Sequence, residues 1–369
     1  MKILHATKKY PDIMGGDSTV VAGLAKYQRK IGHRVYVLTS NCSKVRKSAA
    51  VTKYGLKIDA LNLDKINLKR IISLFILFFY LFFYLKRIKP DIVHSHSPDL
   101  GFILSFHCKL YGIPIINTCH GITFNDIHYS FIKRKLEEFF IKYSNFNKIT
   151  IINKSSLKDF RKLTIKDVCY LPNGIDLELF QKERHNINRK TIFLFVGRIE
   201  EEKGLNYLIH AVNKLRKKEK GFEVLLVGKG VDQKYFQELV ISLKLNNYIK
   251  FLGEKNINEV IDYYYKSDVL ILPSLHESFP VTVLEAWAAK LPVIISNVGG
   301  VSIICDNKEN AIMVPPGDSE IISEAMIALI KNPELRRELG ENGRKLVEKN
   351  YGWDKIVKEI ESIYKEIIK

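Results

Sequence analysis

The sequence lacks the cysteine patterns that stabilise small secreted domains and zinc-binding domains. Its five cysteines are odd in number, scattered over 369 residues, and never spaced as Cys-x-x-Cys. This excludes a regular disulfide framework and a cysteine zinc site, and it favours a reducing compartment. The Gly-x-Gly-x-x-Gly fingerprint is also missing, which argues against a nicotinamide-dependent dehydrogenase. No repeat or low-complexity tract is present.

Acidic residues are scarce in the first half of the chain. Residues 1 to 172 hold 29 Lys and Arg against 11 Asp and Glu, so the whole net charge of +18 lies there. Such an asymmetry predicts that this half meets an anionic partner, either nucleic acid or an anionic membrane. Because no nucleic-acid-binding module is recognisable, we expect no nucleic-acid partner.

One long apolar run, Ile71–Leu85, lies between Lys69-Arg70 and Lys86-Arg87. Fifteen helical residues reach about 22 Å, short of the ~30 Å hydrocarbon core, so the run does not predict a membrane span. Two readings stay open: a helix buried against a sheet, or an aromatic face that touches lipid at the headgroup level. The two are compatible with each other.

Short apolar runs alternate with amphipathic stretches along the chain, a pattern typical of parallel sheets covered by helices on both faces. The predicted strands lie near 2–6, 34–39, 91–94, 114–118, 148–152 and 168–171, and then near 191–196, 222–227, 249–252, 268–271, 292–295 and 311–314. The polar segment 181–190 predicts a linker. We therefore expect an α/β protein with two doubly wound domains.

Two carboxylates, Glu277 and Glu285, flank a proline at the start of a predicted helix. Glu277 lies in the loop before Pro280, and Glu285 lies one turn inside the helix. A helix N-terminus offers free amides and partial positive charge to a diphosphate, and carboxylates suit sugar hydroxyls. The plain alternative is a capping carboxylate and a surface glutamate.

Further candidate residues follow predicted strands. His120 follows the strand near 114–118, and Gly15-Gly16 allow a ligand to approach the first turn. Arg198 and Lys203 lie where the second domain begins, as two cations for a diphosphate leaving group. Alternatively, His120 is structural, the glycines form a plain turn, and both cations pair with Glu200 to Glu202.

Taken together, these segments resemble the GT-B retaining glycosyltransferases of family 4, also called glycosyltransferase group 1. The resemblance covers nearly the whole chain and includes Gly15-Gly16, Pro90–Pro98, Asn117–Gly121, Leu171–Asp176, Val196–Gly204, Leu226–Gly230, Phe251–Gly253, the paired glutamates and Val314–Asp318. It implies two Rossmann-like domains facing across a cleft. Residues 1–180 would bind the acceptor, residues 190–350 would bind the donor, and a final helix at 351–369 would cross back onto the first domain.

The resemblance also implies roles for matching positions. Arg198 and Lys203 would hold the nucleotide diphosphate in place of a metal ion, and Glu285 would bind the ribose hydroxyls. Glu277 and the amides from Phe279 through Pro280 and Val281 to Thr282 would hold the donor sugar and its phosphates. His120 would contact the sugar, Gly16 would admit the diphosphate, and backbone near Gly228 and Leu252 would contact the base. Ser18 and Ser278 depart from the family pattern, which often has an acidic residue and a glycine there.

The implied activity is retaining transfer of a hexose or N-acetylhexosamine from a UDP- or GDP-sugar, without a metal cofactor. The basic first half favours a lipid-linked or glycolipid acceptor in polysaccharide or glycoconjugate assembly. The chain opens directly as a strand, so we expect no secretory leader and a cytoplasmic protein, peripherally associated with the inner face of the cell membrane. A soluble acceptor and a non-catalytic nucleotide-sugar-binding subunit are the alternatives. Neither the donor base nor the oligomeric state is readable from the sequence.

Overall fold

The computed structural model describes residues 1–8, 16–39, 52–55, 68–121, 124, 130–182 and 190–368, with only the backbone described at 16–18, 52–55 and 68–77. The chain divides into two compact units. The N-terminal unit comprises residues 1–174 together with 353–369, and the C-terminal unit comprises residues 175–352. Most of the segment predicted as a linker, residues 183–189, lies outside the described residues.

The N-terminal unit is built on a seven-stranded parallel sheet with the strand order β3-β2-β1-β4-β5-β6-β7. Its strands are β1 Lys2–Thr7, β2 Arg34–Thr39, β3 Thr52–Gly55, β4 Ile92–Ser95, β5 Ile115–Cys119, β6 Lys148–Ile151 and β7 Asp167–Tyr170. The six predicted strands are confirmed. The edge strand β3 was missed because its four residues, Thr-Lys-Tyr-Gly, carry no apolar run.

The described residues of this unit form six α-helices: α1 Gly16–Lys30, α2 Leu68–Ile88, α3 Pro98–Tyr111, α4 Phe131–Tyr143, α5 Leu157–Leu163 and α13 Trp353–Ile368. Local chemistry sets several of their ends. Pro98 occupies the first turn of α3, where an amide is unpaired anyway, and Gly112 ends the helix in the left-handed conformation with φ of 62°. The Ser130 side chain caps α4 by accepting a bond from the Lys133 amide.

The last helix, α13, is anchored by Trp353. The indole is buried, and it fills the space beside two glycines, Gly23 on α1 and Gly174. A Cβ atom at either glycine would lie within 2.5 Å of the ring, so neither position accepts a larger residue without movement. These contacts fix α13 within the N-terminal unit.

The C-terminal unit is built on a six-stranded parallel sheet with the order β10-β9-β8-β11-β12-β13. Its strands are β8 Thr191–Val196, β9 Phe222–Val227, β10 Ile249–Gly253, β11 Val269–Leu272, β12 Val293–Ser296 and β13 Ile312–Val314, as predicted. The helices are α6 Leu205–Lys218, α7 Gln233–Ser242, α8 Ile257–Lys266, α9 Val281–Ala288, α10 Val301–Ile304, α11 Ser319–Lys331 and α12 Pro333–Asn350.

The sequence did not predict the long helix α12. Its buried side uses Gly340 and Gly343 instead of a continuous apolar stripe. A Cβ atom at Gly343 would lie 2.1 Å from the ring of Trp287, and one at Gly340 would lie 2.2 Å from the Lys290 carbonyl oxygen. Because α12 packs closely through glycines, its sequence shows little of the hydrophobic periodicity from which a helix is predicted.

Candidate active site

In the C-terminal unit, the predicted cation Lys203 and the predicted carboxylate Glu277 meet directly. The Lys203 Nζ lies 2.8 Å from Glu277 Oε1, and both side chains are largely buried. Ser274 Oγ donates a second bond of 2.8 Å to the same carboxylate oxygen. Because β8 and β11 are neighbouring parallel strands, the loops that follow them bring these residues to one edge of the sheet.

Two glycines let neighbouring loops approach the Glu277 loop. Gly204 and Gly299 both have positive φ, at 68° and 52°. A Cβ atom at Gly299 would lie 2.0 Å from the Glu277 carbonyl oxygen, and one at Gly204 would lie 1.9 Å from that of Pro273. The Gly300 amide also donates a 3.0 Å bond to the Glu277 carbonyl. The loop is therefore held from both sides by backbone.

The helix predicted to follow Glu277 is α9, and it begins at Val281, directly after Pro280. Phe279 is buried, whereas Val281 and Thr282 at the first turn are partly exposed. The candidate carboxylate and the helix start thus belong to one loop-to-helix connection, and Lys203 reaches Glu277 from the loop after β8.

Glu285, one turn into α9, is buried and accepts a 2.7 Å hydrogen bond from the hydroxyl of Tyr264 on α8. Burial raises the pKa of Glu285 to about 7, although the bond from Tyr264 acts in the opposite direction. Desolvation, together with the nearby carboxylate, raises the pKa of Tyr264 well above its ordinary value. Sequence reasoning did not identify Tyr264, which lies on another helix.

The second predicted cation, Arg198, is not joined to this cluster. Its guanidinium is 60% exposed and pairs with Glu200 and Glu202. This is the local pairing that the sequence left open. A phosphate that binds Arg198 would have to displace these two carboxylates. Because the ion pairs are exposed to solvent, breaking them costs little free energy.

Gly228 and Leu252, predicted near the base, lie at the ends of β9 and β10. Gly228 has φ of 138°, and a Cβ atom there would lie 1.8 Å from the Gly197 carbonyl oxygen. Its amide donates a 2.9 Å bond to the Gly253 carbonyl. Only glycine fits at position 228, where the backbones that follow neighbouring strands come into contact. This close approach keeps the loops after β8, β9 and β10 near one another.

In the N-terminal unit, His120 follows β5 as predicted, and Gly16 is the first residue of α1, whereas Gly15 lies outside the described residues. His120 Nε2 lies 3.0 Å from His96 Nδ1. His96 in turn belongs to a buried group with His5 and His94.

Sequence reasoning assigned no role to this histidine group, although a signal was available. His5 interrupts an apolar strand, and His94 and His96 alternate in Ile-Val-His-Ser-His-Ser, which puts both on one face. Burial lowers the pKa of His5 to about 4 and lowers the pKa values of His94 and His96 well below their ordinary value, assisted by the neighbouring imidazoles.

Two units, each built on a parallel sheet, form an α/β fold, and the C-terminal unit collects a lysine, carboxylates and a helix start at the ends of its strands. The family model "Glycosyltransferase Family 4" matches residues 14–179, and "Glycosyl transferases group 1" matches residues 178–346. The chain belongs to this family of GT-B glycosyltransferases and is a hexosyltransferase.

Individual proteins agree with this assignment. An uncharacterized glycosyltransferase of Methanocaldococcus jannaschii is 28% identical, with 99% of this chain and 98% of that protein covered. The capsular polysaccharide biosynthesis glycosyltransferase CapM of Staphylococcus aureus is 28% identical, with 82% of each covered. The solved structure of Anabaena HepE in complex with UDP and glucose superposes with a TM-score of 0.81 at 16% identity, covering 98% of this chain and 99% of that one. Glycosyl transfer in polysaccharide or glycoconjugate biosynthesis is the supported activity.

Proposed function

We propose that the protein transfers a hexose or N-acetylhexosamine, with retention of configuration, from a UDP- or GDP-sugar to a lipid-linked or glycolipid acceptor. The observation that carries the proposal is the Lys203–Glu277 pair beside the start of α9. A fixed cation, a carboxylate and helix amides together match a nucleotide diphosphate joined to a sugar.

The donor is bound in the C-terminal unit. Glu285 accepts bonds from the ribose hydroxyls, and Glu277 accepts bonds from sugar hydroxyls while Lys203 turns toward the diphosphate. Backbone near Gly228 and Leu252 receives the base, and His120 and Gly16 are further candidate ligand contacts. HepE, whose fold this chain shares, is known in complex with UDP and glucose, which supports a nucleotide-sugar donor.

The leaving diphosphate is stabilised by protein cations, without a metal cofactor. Lys203, Arg198 and the first amides of α9 place positive charge where negative charge develops as the glycosidic bond breaks. In front-face retention, the departing phosphate oxygen accepts the acceptor proton, so no separate carboxylate base is required. Glu277 then positions the sugar and holds Lys203.

The acceptor is proposed to reach the enzyme at a membrane surface, at the inner face of the cell membrane. Along α2, Leu81 and Leu85 are buried, whereas Phe79 and Phe83 are 60% and 65% exposed. The neighbouring helices α3 and α4 add further exposed apolar residues, namely Phe106, Leu110, Phe131, Ile132, Phe139 and Tyr143. We call this set, with Phe78, Phe79 and Phe83, the aromatic patch.

Cations accompany the aromatic patch. Lys86 and Arg87 are exposed at the end of α2, and Lys109 is exposed beside Leu110. Aromatic rings favour the headgroup region, and each cation near an anionic surface adds about 1 kcal/mol of attraction. Over its described side chains, the run Ile71–Leu85 has one side in the core and one side exposed, which supports a helix that is packed on the sheet and also available to lipid. Among the described residues, no helix is long and apolar enough to cross a membrane.

Donor binding is tested by a thermal-shift screen against UDP- and GDP-sugars with and without magnesium. Stabilisation by one nucleotide class, independent of magnesium and lost in Glu285→Ala, supports the proposed donor site. Absence of stabilisation by every nucleotide sugar would contradict the proposed donor site.

Membrane association is tested by flotation with vesicles of anionic or neutral phospholipid at low salt. The wild type is expected to float with anionic vesicles, and Phe79→Ser/Phe83→Ser is expected to remain in solution. Tyr235→Ser, an exposed aromatic on α7 of the C-terminal unit, is the matched control. A wild type that does not float would favour a soluble acceptor.

A further inference from the structure

Glu277, in the candidate active site of the C-terminal unit, is held through only one of its two carboxylate oxygens. The bonds from Lys203 Nζ and Ser274 Oγ both reach Oε1, and each is 2.8 Å long. None of the described residues donates a hydrogen bond to Oε2. Nor is Oε2 one of the fully buried polar atoms that lack a partner. One oxygen of Glu277 is therefore fixed by the protein, and the other is open to a ligand.

The chemistry of the three groups fixes the direction of both bonds. The ammonium group of Lys203 has protons and no lone pair, so it can only donate to Oε1. An oxygen that accepts from lysine carries no proton of its own, so the Ser274 hydroxyl must donate to Oε1 as well. The opposite arrangement, with Glu277 Oε1 donating to Ser274, is excluded.

The two donors are attached to the site in different ways. Lys203 reaches Oε1 from the loop after β8, at the end of a flexible four-carbon stem. Ser274 lies three residues before Glu277 in the loop after β11, and its short side chain is completely buried. The backbone beside it is tied down, because the Leu275 amide donates a 2.8 Å bond to the Glu202 carbonyl. The serine hydroxyl is therefore a fixed donor, whereas the lysine ammonium group can move.

Binding of a nucleotide sugar would give Lys203 a second acceptor. In the proposed function its ammonium group turns to the diphosphate, and charge-assisted bonds to phosphate are strong. Glu277 would then lose its cation at the moment when a sugar hydroxyl approaches Oε2. The last torsion of a glutamate side chain has only weak intrinsic preferences, so the carboxylate needs a bond from outside to keep one orientation.

We propose that Ser274 is a positioning residue for the donor sugar. Its hydroxyl keeps Glu277 Oε1 bonded while Lys203 turns to the diphosphate, and Oε2 thereby keeps the orientation in which it accepts from a sugar hydroxyl. The inference rests on the proposed function, because it assumes that Glu277 binds the sugar of a nucleotide-sugar donor. It adds that the serine, and not the lysine, orients Glu277 during transfer.

A purely local role for Ser274 is the competing interpretation. Serine side chains often bond to groups nearby in the same turn, and such a bond would stabilise the loop without serving the sugar. The two roles differ in their dependence on the ligand. A hydroxyl that orients Glu277 matters only when a sugar is present, whereas a general stabiliser of the loop affects the binding of a free nucleotide as well.

Calorimetry with a nucleoside diphosphate and with the corresponding nucleotide sugar separates the two roles. Ser274→Ala should weaken binding of the nucleotide sugar about tenfold, the effect expected from losing one hydrogen bond to a charged group. Its affinity for the free diphosphate should equal that of the wild type. An equal loss for both ligands, or no loss for either, would overturn the positioning role.

Two further variants, each lacking one hydroxyl, complete this experiment. Tyr264→Phe removes the hydroxyl that bonds Glu285, the proposed ligand of the ribose, so it should weaken both ligands by the same factor. Ser242→Ala removes an exposed hydroxyl at the end of α7, which bonds the Leu239 carbonyl, and should weaken neither. Selective loss of the nucleotide sugar in Ser274→Ala alone would then report the contact with the sugar.

A crystal structure of Lys203→Ala without nucleotide tests the geometry by itself. Ser274 Oγ should remain within hydrogen-bond distance of Glu277 Oε1 although the lysine is gone. A Glu277 side chain that turns away from Ser274 in this variant would overturn the proposal, since the serine alone would not hold the carboxylate. If the wild type binds no nucleotide sugar, the proposed function fails, and this structure still decides whether Ser274 fixes Glu277.

Discussion

The hydroxyl of Tyr264 on α8 donates a 2.7 Å hydrogen bond to the buried carboxyl group of Glu285 on α9. Glu285 is a predicted ligand of the ribose. Its partner lies on α8, a helix outside the sequence segment that contains Glu277 and Glu285. Since Tyr264 is also fully buried, the bond fixes Glu285 before any nucleotide arrives. Such preorganisation lowers the ordering cost of binding.

Nucleotide affinity should rise with pH through about 7. The pKa of Glu285 is about 7, so the group is largely protonated at pH 6 and charged at pH 8. The charged form accepts bonds from both ribose hydroxyls, and charge-assisted bonds are the stronger ones. Calorimetry with UDP or GDP at pH 6 and 8 measures the effect. Glu285→Gln should bind more weakly at pH 8 and show a flat profile, and an identical profile in both proteins would contradict this assignment.

The raised pKa of Glu285 has the opposite effect on folding stability, which should fall as pH rises. Because the folded pKa lies above the unfolded value, the folded state holds the proton more tightly, and stability is lost as pH rises from about 4.5 to 7. The shift corresponds to roughly 3 kcal/mol. Denaturant unfolding at pH 5 and 8 should show a smaller loss for Glu285→Gln than for the wild type, even though the variant binds nucleotide poorly.

Removal of either proposed diphosphate cation should abolish most turnover and leave the fold intact. One preorganised electrostatic contact contributes about 3 kcal/mol to catalysis, or roughly a hundredfold in rate. Lys203→Ala also leaves Glu277 beside Ser274 without its cation, so donor binding should weaken in that variant. Near-normal kcat in both Arg198→Ala and Lys203→Ala, measured by initial rates with intact circular dichroism, would refute the leaving-group role. Lys234→Ala, an exposed cation on α7, is the control.

Acid should destabilise the N-terminal unit through its buried histidines. The folded pKa of His5 is about 4, below the ordinary 6.5, so the unfolded chain binds more protons between these values. Stability is complete above pH 6.5 and falls as pH drops toward 4, by about 1.4 kcal/mol per pH unit for each such histidine. Urea unfolding from pH 7 to 4.5 measures the slope. His5→Gln should reduce the slope, whereas His210→Gln, on a helix of the other unit, should not.

Gly299→Ala should disorganise the Glu277 loop more than its backbone conformation alone would explain. Gly299 and Gly253 both have positive φ, at 52° and 72°. An added Cβ atom meets the Glu277 carbonyl oxygen at 2.0 Å in the first case and nothing within 4 Å in the second. We expect Gly253→Ala to cost about 1 kcal/mol in unfolding free energy, and Gly299→Ala to cost more and to lose donor binding. Equal effects in thermal unfolding and nucleotide titration would show that the close approach is unimportant.

The sequence alone was sufficient for most of the secondary structure, and particular residues show why. Strands such as Val269–Leu272 are short apolar runs, and amphipathic helices such as Ile257–Lys266 have a polar and an apolar face. These periodicities are local properties, so they are readable without the fold. The edge strand Thr52–Gly55 and the glycine-packed helix Pro333–Asn350 escaped detection because their placement depends on neighbours.

The candidate site divides in the same way. Residue type and order along the chain identified Lys203, Glu277 and Glu285 as candidate ligands of a nucleotide sugar. Their pairing was not readable, since Lys203 and Glu277 are joined only when neighbouring parallel strands bring two distant loops to one edge. Tyr264 also joined the site through a contact between two elements, whereas Ser274 lies in the same loop as Glu277.

By itself, the sequence determined the two α/β halves, the basic first half and the ordered motifs of the family, because each is written in residues close together in the chain. Tertiary structure decided which charged side chains form ion pairs and which titratable groups have shifted pKa values. Burial raises the pKa of Glu285. Arg198 forms ion pairs with Glu200 and Glu202, and Lys203 forms one with Glu277. It also joined His5, His96 and His120 to Tyr364, 244 residues or more away in the sequence, since hydrogen bonds and desolvation depend on distance in space.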